Sequence, residues 1–220
     1  MPKRIVAKKS ENAVPSSVHG LRALVLRQQD EIKRFIALSD RDFLTKLLSR
    51  RGFDREVGVA LDAMRAQSRA AHKRHNVPKN LSIVFIDIDN FKWYNDSFGH
   101  ACGDDVLEQF SVFLQKHFRS TDYLCRWSGD EFMLGLIGAS HLQAERTVKH
   151  FMRLLDAKRM RLHCIQKGKK QTITVHASFG VASVYDGTTR RPIFDMRKLI
   201  DRADVRMYEQ KHHHKILWKR

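Results

Sequence analysis

The sequence predicts an α/β domain whose sheet is largely antiparallel at its centre, preceded by an N-terminal helical segment. Helix-period and strand-period segments alternate along the chain without a clean βαβ repeat. Two pairs of strand-like runs meet across short polar turns: "YLCRW" with "EFMLGLIG", and the two halves of "RLHCIQKGKKQTITVHASFGVASV" around "KGKKQ". The Ile- and Val-rich run "LSIVFIDIDNF" is apolar on both faces at its start and reads as a buried strand.

In chain order, residues 1–17 mix Lys, Ser, Asn and Pro with few large apolar side chains, and read as a disordered basic tail. The tail has no apolar core of the kind a secretory signal needs. From Val18 the pattern changes. Val18, Leu21, Val25, Gln28, Ile32 and Phe35 recur in steps of three and four, a heptad seam with one polar position. Residues 18–40 therefore form a helical stalk, either a dimerising coiled coil or a helix packed on its own domain.

The segment after it continues as helix, with Ser39 or Asp40 able to cap a new start and Phe43, Leu44, Leu47 and Leu48 on one face. Gly52 interrupts before a second amphipathic helix, and "HNVPKN" is a loop. "ACGDDVLEQFSVFLQKHF" reads as a helix with acids near its start, which suits the helix dipole. "HLQAERTVKHFMRLLDAKRM" and "MRKLIDRADVRMYEQKHHHK" supply two more helices.

Composition sets outer bounds. A 220-residue chain with 42% hydrophobic and 9% aromatic residues has ample material for one large core. The net charge of +17 suits nucleic acid, an acidic membrane face or nucleotides as partners, or simply basic residues spread over a solvated surface. No zinc finger, RNA-recognition signature or long zipper stands out, so specific nucleic-acid binding is not expected. No apolar run reaches the ~18 residues a membrane span requires. Cys102, Cys125 and Cys164 are odd in number and widely spaced, as expected of reduced thiols in a cytoplasmic protein.

Asp87 and Asp89 stand two apart at the end of the buried strand, so on a strand they share a face. Asp130 and Glu131 form a second acidic pair in the hairpin turn "SGDEF". Acids ending an apolar strand are costly unless they leave the core or hold a cation. Carboxylates completed by water and substrate phosphate suit Mg²⁺. Spacing leaves open whether the pairs converge or only cap strand ends at the surface. Lys92 could neutralise phosphate. An Asn amide and an Asp carboxylate such as Asn95 and Asp104 could together read the edge of guanine, though either alone is common without a ligand.

Five blocks in order, "DFLTKLLSRRGF", "FIDIDNFKWYNDSFGHACGDDVL", "RSTDYLCRWSGDEF", "ITVHASFGVAS" and "DRADVRMYEQK", resemble the GGDEF domain of the diguanylate cyclase family over roughly Asp40 to Lys215. The resemblance implies a nucleotidyl-cyclase-like palm over residues 41–220, with a mostly antiparallel five-stranded sheet flanked by helices. It implies two domains meeting face to face, each binding one GTP, and condensation of two GTP into cyclic di-GMP with release of two pyrophosphates. Asp87, the backbone carbonyl of Ile88 and Asp130 match magnesium ligands, with manganese as a substitute. Glu131 matches a further ligand or the base for the 3′-hydroxyl. Asn95 and Asp104 match the guanine readers, Lys92 and Lys211 the phosphate-binding lysines. Arg119 and Asp122 of "RSTD" match an inhibitory product site, against the alternative of a local ion pair between them.

Three positions depart from that family's pattern. Ser128 replaces the first glycine of the hairpin motif, leaving Gly129 to supply positive φ beside the nucleotide. Lys215 stands where a phosphate-binding arginine is usual, keeping charge but losing the fork. Lys46 replaces a usual glycine, with no consequence expected. The consecutive His212, His213 and His214 point in different directions on a helix, which argues against a metal site. The expected function is thus a dimeric, product-inhibited diguanylate cyclase. The alternative is a catalytically silent GGDEF domain that binds GTP or cyclic di-GMP and signals through protein contacts.

Overall fold

The computed structural model describes residues 17–70, 77–166, 169–187 and 191–218. The chain divides into two units, Met1–Leu38 and Ser39–Arg220. In the first, helix α1 (Val18–Ser39) opens on Ser17, whose hydroxyl accepts the Gly20 N–H at 3.1 Å and whose carbonyl accepts that of Leu21 at 2.9 Å. Such a cap gives partners to N–H groups that a first turn leaves orphaned. The seam residues Val18, Leu21 and Val25 are exposed on the single chain. The side chains of Ile32 and Phe35, and the tail up to residue 16, lie outside the described residues.

Residues 40–49 depart from the expected helix. The Asp42 N–H donates to the Leu47 carbonyl and the Lys46 N–H to the Asp42 carbonyl, both at 2.9 Å. Thr45 braces this turn by donating its N–H (2.8 Å) and hydroxyl (2.7 Å) to the Asp42 carboxylate. Asp and Thr bonds of this kind offer the backbone an alternative to helix. Lys46 sits at φ +60°, so the substitution read as inconsequential carries left-handed strain. The turn leads into strand β1 (Leu48–Ser49) and helix α2 (Arg50–Arg69), which Ser49 caps by accepting the Gly52 N–H at 3.2 Å. Gly52 therefore lies inside a helix instead of between two. A Cβ there would stand 2.4 Å from the Asp40 carbonyl oxygen, so the glycine permits a close contact.

Beyond α2 come β2 (Leu81–Ile88), α3 (Phe91–Phe98), α4 (His100–His117), β3 (Tyr123–Ser128), β4 (Glu131–Ile137), α5 (His141–Ala157), β5 (Arg159–Gln166), β6 (Lys169–Thr174), β7 (Ala177–Ser183) and α6 (Met196–Trp218). The main sheet has five strands in the order β1-β3-β4-β2-β7. Only the β1–β3 pairing is parallel. The expected five-stranded, mostly antiparallel sheet flanked by helices is the one observed.

The third run of strand residues divides differently from expectation. β5 and β6 pair as a separate two-stranded sheet, and β7 breaks away to join the main one beside β2. Central strand β2 is buried on both faces, as its apolar run over 83–86 requires. Val84, Ile86 and Ile88 pack with Phe110 of α4 and Phe151 of α5. Leu81, Ile83 and Phe85 pack with Phe53 and Val57 of α2 and Leu199 and Ala203 of α6. Helix α5 begins with a reciprocal capping box between Ser140 and Gln143, a feature that stabilises a helix start by about 1 kcal/mol.

Cys102, buried on α4, is disulfide-bonded, which corrects the expectation that all three thiols are reduced. Cys125 is free, and burial pushes its thiol far above the usual range. Among the described residues no helix is long and apolar enough to cross a membrane.

Candidate active site

The β2–β4 register sets Asp87 directly opposite Glu131, so both side chains rise from one face at the same end of the sheet. The Ile88 N–H donates to the Asp130 carbonyl at 3.2 Å and extends that pairing into the turn. Gly129 turns the chain at φ +35°, as its position in the hairpin led us to expect. The β3–β4 register slips between Arg126 and Ser128, a bulge that re-aims the tip. Arg126 then secures it. Its Nε donates to the Gly129 carbonyl at 2.9 Å, while Nη1 lies 3.4 Å from the Asp42 carboxylate.

Each acid at this end has a distinct environment. The Lys211 ammonium of α6 forms an ion pair with Asp87. The Ser128 hydroxyl donates to Glu131 at 2.6 Å. Burial, and then the charge of Asp87, push the Asp130 carboxyl above the ordinary aspartate range, against the opposing pull of Lys211. Asp89 accepts from the hydroxyl of Ser178, the β7 residue opposite Asp87, at 2.8 Å.

Among the described residues, no three metal-ligating side chains are gathered around one point. Asp87 is held by Lys211 and Glu131 by Ser128, so the three acids share an end of the sheet without converging. The donor chemistry nonetheless fits a small hard cation. Two carboxylates and a strand-end carbonyl are oxygen donors, and the Asp130 carboxyl is raised first by burial and then by the charge of Asp87, a charge that a cation would offset.

Asn95 and Asp104 come together through a helix pair. The segment "FKWYNDSF" forms α3, a helix not among the elements expected from the sequence. Its start carries no side-chain cap, because Asn90 enters at φ +56°, ψ +32°. At its end, Gly99 at φ +86° joins α3 directly to α4. Gly103 lets the two helices touch: a Cβ on it would lie 2.0 Å from the Asn95 Oδ1. The Asn95 amide thus rests beside the residue preceding Asp104, whose carboxylate is exposed. The first turn of α4 holds no acidic residue, so the expected dipole benefit does not arise. Lys92 is exposed on α3. The side chains of Lys215, His213 and His214 lie outside the described residues, while the His212 ring packs edge-on against Tyr208 at 4.3 Å.

Arg119 and Asp122 lie at the other end of β4, about 20 Å from Glu131 at the rise of a strand. The Asp122 carboxylate accepts the backbone N–H groups of Arg119 (3.0 Å) and Ile137 (3.2 Å). No side-chain ion pair joins the two residues, contrary to the alternative reading. Both line a cavity of about 410 Å³ together with His117, Gln143 and Arg146. Arg146 escaped the sequence reading because only tertiary packing brings α5 to this site.

Comparison with known proteins decides the family. The family described as "Diguanylate cyclase, GGDEF domain" matches residues 39–216. The chain belongs to the GGDEF domain family. "Diguanylate cyclase DosC" of Escherichia coli (strain K12) is 32% identical over 171 residues, covering 76% of this chain and 32% of that protein. "Diguanylate cyclase A" of Treponema denticola is 34% identical over 136 residues, covering 60% of this chain and 33% of that one. The chain spans about a third of the length of these curated relatives.

Among solved GGDEF structures, the GGDEF-only mutant of PA1120 (TpbB or YfiN) from Pseudomonas aeruginosa superposes with a TM-score of 0.63 at 29% identity, over 79% of this chain and 89% of that one. The coiled coil and GGDEF domain of DgcB from Caulobacter crescentus, solved in complex with c-di-GMP, gives 0.69 at 19% identity over 87% and 91%, a likeness of fold.

Proposed function

We propose that this GGDEF domain is a diguanylate cyclase that condenses two GTP into cyclic di-GMP, acting as a dimer and inhibited by its product. The observation that carries the reading is the β2–β4 register, with Asp87 opposite Glu131 and the Asp130 carbonyl bonded to Ile88. In this reading Asn95 and Asp104 hold the guanine, the Asp104 carboxylate accepting from its N–H groups. Lys92 and Lys211 meet the triphosphate, Lys211 exchanging Asp87 for phosphate oxygens, and Lys215 adds positive charge. Gly129 lets the nucleotide approach the hairpin backbone, with Ser128 beside it.

Two protomers present their nucleotides face to face. Each 3′-hydroxyl loses its proton to Glu131 and attacks the partner nucleotide's α-phosphorus. The new P–O bond forms as the bond to pyrophosphate breaks. A divalent cation, magnesium or manganese, held by Asp87, the Ile88 carbonyl, Asp130 and Glu131, would polarise the α-phosphate and offset triphosphate charge. Arg119 and Asp122 take the product: the free guanidinium can fork onto phosphate or guanine. The DgcB chain solved with c-di-GMP supports product binding by this fold. The exposed seam of α1 supports dimerisation through the stalk.

Incubation with GTP and Mg²⁺ should yield cyclic di-GMP and pyrophosphate, resolved by chromatography. No product at high protein concentration, after bound nucleotide is stripped, would refute catalysis. Two contacts favour a second reading, a domain that binds nucleotide without turnover: Glu131 is engaged by Ser128 and Asp87 by Lys211. Tight GTP or cyclic di-GMP binding with no product would select it.

A further inference from the structure

A second cavity, of about 990 Å³, runs along the outer edge of β7 between α5 and α6. Its floor is apolar, made by Met152, Ala177 and Phe179, and its wall carries Arg146, Lys149 and Arg153 from successive turns of α5. The acids nearby are already engaged. Asp156 is 2.7 Å from His176 Nδ1, Asp89 accepts from Ser178 at 2.8 Å, and Glu145 takes Lys149 at 3.1 Å. Among the described residues, Arg146 and Arg153 have no ion pair. Two guanidinium groups without an ion-pair partner therefore stand over an apolar floor, in a space of the size that small-molecule sites occupy. The chemistry that fits is an anionic head on an aromatic or acyl body, with phosphate as the group a guanidinium fork matches best.

Arg146 also lines the Arg119/Asp122 cavity. One side chain thus stands between two cavities and cannot fork onto anions in both at once. We infer that the β7-edge cavity is a second binding site, for a soluble organic phosphate, and that its occupancy weakens ligand binding at the Arg119/Asp122 cavity through competition for Arg146. The coupling rests on the proposed product site; the cavity itself does not. Linkage makes the effect reciprocal, so cyclic di-GMP must also weaken the phosphate ligand by the same factor.

The probe is N-methylanthraniloyl-AMP, an aromatic phosphate followed by fluorescence anisotropy on the full chain. Saturable binding is expected, weakened at least tenfold in Arg153→Glu and Lys149→Glu, two exposed positions outside the proposed catalytic and product machinery. Absence of binding, or binding unchanged in both variants, would overturn the site. Calorimetric titration of cyclic di-GMP should show at least threefold weaker affinity in saturating probe, and no such dependence in Arg146→Ala. Affinity indifferent to the probe would overturn the coupling. Sedimentation with phosphatidylglycerol vesicles should be the same for the wild-type chain and Arg153→Glu; a loss in the variant would assign the phosphate to a lipid headgroup and overturn the soluble source. GTP turnover in the same preparation separates failure of this site from failure of the cyclase reading, since neither charge reversal touches the Asp87–Glu131 end.

Discussion

The Ser128 hydroxyl donates a 2.6 Å hydrogen bond to the Glu131 carboxylate across the hairpin tip. A glycine at this position has no such donor, so the bond is a property of this chain's departure from its family pattern. A hydrogen bond to a charged group contributes about 1.5–3 kcal/mol when buried and less at an exposed tip. In the proposed reaction the bond takes up part of the carboxylate's acceptor capacity and fixes its orientation, which opposes its turning toward a proton or a cation. Ser128→Gly and Ser128→Ala should therefore both raise GTP turnover at limiting Mg²⁺, by roughly fivefold for a contact of about 1 kcal/mol. Pyrophosphate release measured against Mg²⁺ concentration checks this, and lower turnover in both variants would contradict it.

Asp42 links the turn before β1 to the same hairpin, through Arg126 and on to the Gly129 carbonyl. Burial alone would raise its carboxyl, but the bonds from Thr45 and the Arg126 charge outweigh that and hold it below the ordinary value. A folded carboxyl that titrates below its unfolded value of about 3.9 binds fewer protons than the unfolded chain in that window. The stabilisation is then complete above the unfolded value and is lost as pH falls through the folded one. Asp42→Asn should cost stability at pH 7 and much less near pH 3. Urea midpoints at the two pH values test this; an equal loss at both would break the link to charge.

Lys46 at φ +60° suggests a stabilising substitution. Left-handed backbone costs a side-chain-bearing residue about 1–2 kcal/mol. Glycine gives back roughly 0.5–1 kcal/mol through its freer unfolded chain. Lys46→Gly should therefore gain a net ~0.5–1 kcal/mol and lift the melting temperature by about 2 °C. A lower Tm would mean that the Lys46 ammonium bond to the Phe43 carbonyl outweighs the strain.

Much of this architecture was legible along the chain because it rests on periodicity. The doubly buried β2, the β3–β4 hairpin and the amphipathic α5 and α6 all follow from apolar spacing. Residues 40–49 were not, since Asp42 and Thr45 bonds override an apolar pattern that fits a helix. Helix α3 was hidden by an entry through left-handed Asn90 with no capping side chain. β1 is two residues long and owes its existence to pairing with Cys125 and Arg126. At the site, the acids were visible as motif residues. The Lys211 contact with Asp87, the Ser128 contact with Glu131 and the double exposure of Arg146 are tertiary, and no local spacing encodes them.

Gly103 is one such tertiary dependence. A Cβ there would meet the Asn95 Oδ1 at 2.0 Å, and the amide can swing away because it is the end of a side chain. Gly103→Ala should thus displace Asn95 while leaving the buried core intact. The expected result is a KM for GTP raised about tenfold, the effect of losing a ~1.4 kcal/mol hydrogen bond, with Tm lowered by only a few degrees. Unchanged KM with a large fall in Tm would assign Gly103 to packing alone.

A substitution at Lys211 should separate metal binding from nucleotide binding. The Lys211 ammonium neutralises Asp87, beside an Asp130 carboxyl raised by burial and by Asp87. Removing that positive charge leaves two carboxylates with less compensation, which favours a divalent cation. In the proposed function, removing it also takes away a phosphate contact. Lys211→Met should therefore bind Mn²⁺ more tightly without nucleotide, by about threefold to tenfold, and bind GTP more weakly by a similar factor. Manganese affinity read by electron paramagnetic resonance and GTP affinity by calorimetry give the two signs. Opposite changes fit an ammonium that exchanges Asp87 for phosphate, whereas weakening of both would make Lys211 a structural brace for the strand end.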